Sequence, residues 1–206
     1  MIRRAYQIFA FSLTVVIFSK CGPPVEIVSG DKTLSYLDDK KKIAMKFDYS
    51  NTTVGGDEQS EKAFIKQKVK EKNEEEPGSG EEWKKKWENN QKNVYQPAFR
   101  SQFSEYLIEC DYDLADKPKD ADYTAIVHIE MIEPGFYGGV VHKPAEIHTR
   151  MEVVKNGKED SPKTTMKDEH GTSTGEHMTT KDRLRNAYKN TAMKYGRHFR
   201  DQLCSD

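Results

Sequence analysis

The chain has 206 residues and a formal net charge of −1, with 33% of its residues charged. Its isoelectric point is near 6.6 and its mean hydropathy −0.89. Such a balance offers no basic footprint for nucleic acid. It leaves room for one modest core with long solvated stretches, and the 10% of aromatic residues argue that a core exists.

The chain opens with Arg3 and Arg4, followed by an apolar run over residues 5–18 broken only by Gln7, Ser12 and Thr14. Fourteen residues are too few for a comfortable membrane span and match the apolar region of a signal peptide. The run ends at Phe18-Ser19-Lys20-Cys21-Gly22. A cysteine at this place resembles the lipobox of bacterial lipoproteins, although Lys20 stands where that pattern has a small residue. The resemblance implies cleavage after residue 20, lipidation of Cys21 and attachment to the membrane through the N-terminal lipid. No acidic run follows Cys21, so a periplasm-facing orientation is expected over a surface-exposed one. Residues 1–20 are thus read as signal peptide, 21–40 as a tether after Gly22-Pro23-Pro24, and 41–206 as a single domain. Export leaves Cys110 and Cys204 as an even pair in an oxidising compartment, open to bridging or to two free thiols.

Within the domain, Ile43, Met45, Phe47 and Tyr49 alternate with polar residues and predict a strand over 41–49. Residues 55–80 form a charged insertion. Phe64, Ile65 and Val69 suit a short surface helix, and 74–80 (EEEPGSG) has loop composition. From Glu81 a helix is expected, with Trp83 and Trp87 four residues apart as core side chains. Pro97 should kink or restart it, with Pro97 in the first turn, and Phe99, Phe103, Tyr106 and Leu107 continue the apolar stripe to Cys110.

Residues 122–154 carry the strongest pattern. Tyr123, Ala125, Val127, Ile129 and Met131 lie on one face of an extended chain, and Ile147, Thr149, Met151 and Val153 repeat the pattern after a turn rich in Gly and Pro. A long antiparallel hairpin with one inner and one outer face follows. Asn156-Gly157 signals a turn into a further strand within 158–167, and 169–180 reads as a polar loop. Leu184, Tyr188, Thr191, Tyr195 and Phe199 then predict an amphipathic closing helix capped by Thr179 or Thr180. Together these elements predict an α+β fold, a mostly antiparallel sheet with two main helices packed on one face.

This order, with the phrases GEEWKKKWENN, YQPAF and DYTAIVHIEMIEPGFYGGV, is similar to exported proteins of Bacteroidota type. It resembles small envelope lipoproteins of the TolB amino-terminal and curli-secretion lipoprotein type. The resemblance implies a non-enzymatic module that binds or assembles with an envelope protein partner, with no cofactor. It transfers no functional residues.

One set of side chains could carry chemistry instead. On the outer face of the hairpin, alternation places His128, Glu130, Glu146 and His148 together with Arg150, a His/Glu set able to hold zinc in a periplasmic enzyme. The alternative reading of the same face is cross-strand charge pairing. A second, looser set comprises Asp168, Glu169, His170, Glu176 and His177.

Overall fold

The computed structural model describes residues 25–37, 42–56, 58–158, 161–174 and 179–204. Among the described residues, ten strands and four α-helices form an α+β fold. In chain order they are β1 (Glu26–Gly30), β2 (Lys42–Asp48), β3 (Thr53–Val54), β4 (Gln59–Ser60), α1 (Glu61–Glu75), α2 (Ser79–Asn90) and α3 (Gln96–Ile108). Then follow β5 (Asp113–Ala115), β6 (Tyr123–Glu133), β7 (Phe136–Gly138), β8 (Val141–Lys143), β9 (Glu146–Lys155), β10 (Thr164–Thr172) and α4 (Thr180–Leu203). The main sheet runs β1-β10-β9-β6-β2-β5, with β3 beside β6 and β4, while β7 and β8 make a small sheet of their own.

The pairing of β6 with β9 is antiparallel, Ala125 opposite Val153 and Val127 opposite Met151. By contrast, β2 runs parallel to β6 and β5. A parallel neighbour needs a long crossover, and the helices α1 to α3 supply it between β2 and β6. Ile43 and Met45 of β2, Val127 and Ile129 of β6, Ile147 and Met151 of β9, and Met166 of β10 are buried on the inner face. Against them pack Phe99, Phe103 and Leu107 of α3 and Leu184, Tyr188, Tyr195 and Phe199 of α4, all fully buried. Phe103 meets Phe199 edge-on at 4.9 Å and Phe99 meets Phe47 at 5.4 Å. Each such side chain contributes about 1.5–3 kcal/mol by leaving water.

The charged stretch before the long helix is part of the fold. Ser60 caps α1, its hydroxyl accepting from the Ala63 N–H at 3.3 Å. The segment expected as a linker is a tight helix-to-helix turn, in which the Asn73 carboxamide oxygen accepts from the Gly78 and Gly80 N–H groups, each at 3.0 Å. Phe64 of α1 leans on Trp83 and Trp87, which stack at 5.5 Å. Trp87 is buried and donates through Nε1 to Glu61 Oε1 at 2.7 Å.

The helix restarts at Gln96, with Pro97 in the first turn of α3 as expected. It widens first, into a π-helical turn over Gln91–Tyr95, where the Gln96 N–H donates to the Gln91 carbonyl. Pro97 brings no N–H and its ring would collide with the carbonyl four residues back; the wider turn relieves both demands.

Residues expected as tether are structural from Val25 onward. β1 pairs antiparallel with β10, Glu26 opposite Lys167 and Gly30 opposite Thr164. Leu34 and Leu37 are fully buried. Tyr112 donates to the Leu37 carbonyl at 2.9 Å and Tyr123 to the Tyr36 carbonyl at 3.0 Å. β10 also reaches further than expected, to Thr172, through the stretch read as loop. At the far end of the core, Cys110 and Cys204 form a disulfide across the C-terminal ends of α3 and α4, with Cα atoms 5.3 Å apart.

Candidate functional site

The outer face of the sheet holds the residues singled out by alternation, but it does not bring them together. The register of β6 on β9 slips between Ile129 and Met131. Glu130 is the extra residue of a β-bulge, and everything beyond it changes face. Ile132 therefore turns into the core, and Met131, expected inside, turns out. His128 lies opposite Arg150, and Met131, not Glu130, lies opposite His148.

Two separate charge groups result. His128 Nδ1 is 2.8 Å from Asp48 Oδ2, and its Nε2 is 3.8 Å from Glu152 Oε2. The parallel register of β2 on β6 supplies Asp48, directly beside His128. The Asp48 carboxyl is held below its ordinary pKa, chiefly by the Ser50 backbone N–H at 3.0 Å and then by His128. The second group holds His148 Nε2 at 3.2 Å from Glu146 Oε1, with His170 Nδ1 3.9 Å from the same oxygen. Between the two groups lie Arg150, 3.0 Å from Glu130, and Lys167, 3.9 Å from Glu130 and 2.6 Å from Glu169.

The zinc set of His128, Glu130, Glu146 and His148 is thus corrected. A guanidinium occupies the middle of the space that a dication would need. Among the described residues no group of three or more His, Cys, Asp or Glu is arranged to hold a metal ion. The face is laced by cross-strand pairs, each of which contributes about 0.2–1 kcal/mol at such exposure. His128 has the orienting carboxylate that a general base requires, yet its Nε2 faces Glu152 instead of a hydroxyl or thiol.

The looser set also divides. Asp168 turns inward and is 3% exposed, with its Oδ1 2.9 Å from Lys194 Nζ of α4. Glu169 points outward to Lys167, and Glu176 and His177 lie outside the described residues. Cys21 and the segment before it lie outside them as well. Among the described residues no helix is long and apolar enough to cross a membrane.

Two anchoring residues escaped the sequence reading. Lys194, a cation beside the apolar stripe of α4 in sequence, reaches Asp168 and the His170 carbonyl, the latter at 2.8 Å. Arg183 is buried near the start of α4 and donates to the carbonyls of Pro134 and Gly135, each at 3.1 Å. Burial holds its pKa below the ordinary arginine value. The only signal for Arg183 is its place beside Leu184, one position off the apolar stripe.

Comparison of the chain with protein-family models, with curated proteins and with solved structures finds no match.

Proposed function

We propose that the protein is a lipid-anchored component of a bacterial cell envelope whose α+β domain binds or assembles with another envelope component and carries no catalytic site of its own. The observation that carries this reading is the N-terminal order Arg3-Arg4, apolar residues 5–18, then Cys21. The disulfide between Cys110 and Cys204 supports it, since such bridges persist in oxidising compartments. The outer sheet face supports it too, since its rows of charged side chains offer charge complementarity to a partner. The domain faces the periplasm, held to the membrane by its acyl chains.

The test is metabolic labelling with a fatty acid, combined with the mass of the mature N-terminus. The native protein is expected to begin at Cys21 and to carry diacylglyceryl mass. Cys21→Ser should abolish the label. Undiminished labelling of Cys21→Ser, or a native protein without lipid mass, would refute the reading.

A further inference from the structure

The small β7–β8 sheet stands apart from the main one and shows apolar side chains to solvent. Val140 is 97% exposed, Val141 63% and Phe136 49%. Val140 sits in the two-residue turn at the tip, with Gly139 in the left-handed region at φ 76°. A patch of this kind on a hydrophilic chain marks a contact surface.

The hairpin is firmly rooted. Arg183 grips the Pro134 and Gly135 carbonyls, and Lys143 Nζ lies 2.7 Å from Glu133 Oε2. Gly135 N–H donates to Glu133 Oε1 at 2.9 Å. At Gly135 (φ 62°) the two legs pass so closely that a Cβ would stand 2.3 Å from the Lys143 carbonyl oxygen. The tip is therefore presented at a set angle to the sheet.

Strand directions bring Val25 into the sheet from the same end. β6 ends at Glu133, opposite Glu146 of β9, which lies opposite Thr172 at the end of β10. β1 runs the other way, from beside Lys167 towards Thr164. The chain thus enters the sheet from the side of the hairpin. Cys21 lies four residues before Val25, a separation of at most roughly 14 Å. The three-residue legs of the hairpin span roughly 10 Å, the depth at which interfacial segments sit among headgroups. His142 and Lys143 flank the tip, and Lys181 and Arg185 are exposed on the first turns of α4 at this end. They suit anionic headgroups. The neighbouring carboxylates are engaged, Glu133 by Lys143, Glu146 by His148 and Asp182 by Thr179.

We infer that the β7–β8 hairpin is a second membrane contact, inserting Val140, Val141 and Phe136 into the headgroup layer of the bilayer that holds the acyl chains of Cys21. This inference rests on the lipidation proposed above. It gives the domain a fixed orientation. The strands of the main sheet stand up from the bilayer, and the charged outer face looks sideways, where a neighbouring envelope component can reach it.

The experiment uses full-length protein purified from membranes and reconstituted in vesicles of phosphatidylethanolamine and phosphatidylglycerol. Val140→Cys introduces a free thiol beside the Cys110–Cys204 bridge and an acylated Cys21, and is labelled with an environment-sensitive fluorophore. Its emission should shift to the blue and lose most of its intensity when the lipids carry brominated acyl chains. The same label on Lys158→Cys, an exposed residue at the opposite end of the sheet, should do neither. Lipidated protein whose Val140→Cys label stays water-exposed overturns the hairpin contact while leaving the lipoprotein reading intact. A blue shift that needs no vesicles and grows with protein concentration overturns it in favour of a second copy of the chain. A mature N-terminus without lipid mass overturns both readings.

Discussion

Replacing Cys110 and Cys204 together by serine tests how the core is held at its far end. The bridge joins residues 94 apart in sequence. In the chain-entropy treatment, a closed loop of that length costs the unfolded chain about 4.7 kcal/mol at 25 °C. Small domains have total stabilities of about 5–15 kcal/mol, so Cys110→Ser/Cys204→Ser should fall close to the edge of folding. At roughly 2–4 °C per kcal/mol for a chain of this size, Tm should drop by roughly 9–19 °C. The folded state changes little by comparison. Phe103 and Phe199 still clasp α3 and α4 edge-on at 4.9 Å, about two turns before Cys110 and one and a half before Cys204. The effect therefore belongs mainly to the unfolded state, which becomes more open, so the urea m-value should rise as the midpoint falls. Urea titrations followed by the fluorescence of Trp83 and Trp87 read both quantities. Either single serine variant should cost as much as the double one, because each alone removes the bridge. A loss below about 1 kcal/mol with an unchanged m-value would show that the cross-link does not constrain the unfolded chain.

Tyr36 and Tyr49 each have their pKa pushed up from 10.0 to about 12 by burial, and Tyr95, Tyr188 and Tyr195 are raised for the same reason. A phenol raised in the folded state gives stability that is complete below pH 10 and lost as pH climbs towards 12. Absorbance titration should show these five of the ten tyrosines ionising only with unfolding; ten simultaneous ionisations near pH 10 would contradict the burial. Gly196 of α4 lies against Tyr106 of α3, and a Cβ there would stand 2.5 Å from the ring. Gly196→Ala gains about 1 kcal/mol of helix propensity but overpacks the contact by about 1–3 kcal/mol. A modest net fall in thermal stability, relieved in a Tyr106→Ala background, is expected; a more stable Gly196→Ala would refute the close packing.

Periodicity carried the helices and the inner sheet face, because Leu184 to Phe199 and Tyr123 to Ile129 each keep one strict period. What it missed depends on contacts distant in the chain. The bulge at Glu130 changes the face of Met131 and separates His148 from His128, and no local signal in IEMIE marks an inserted residue. β1 has little apolar content and a Gly-Pro-Pro lead, so only its partner Thr164–Lys167 makes it a strand. Only the end of β10, Glu169 to Thr172, fell in the stretch expected as a loop, because EHGT offers no apolar side chain to mark a strand. Asp48 became a partner of His128 only through a parallel register set by three intervening helices.

The pairing of β1 with β10 also orders events in time. Glu26 must wait for Lys167, about two-thirds of the chain later, before its strand has a neighbour. A chain made or threaded N-terminus first holds this edge strand unpaired throughout, since β9 and β10 emerge near the end. Closure over such a separation is slow, and an unpaired strand invites wrong partners meanwhile. The first strand made is the last to be seated.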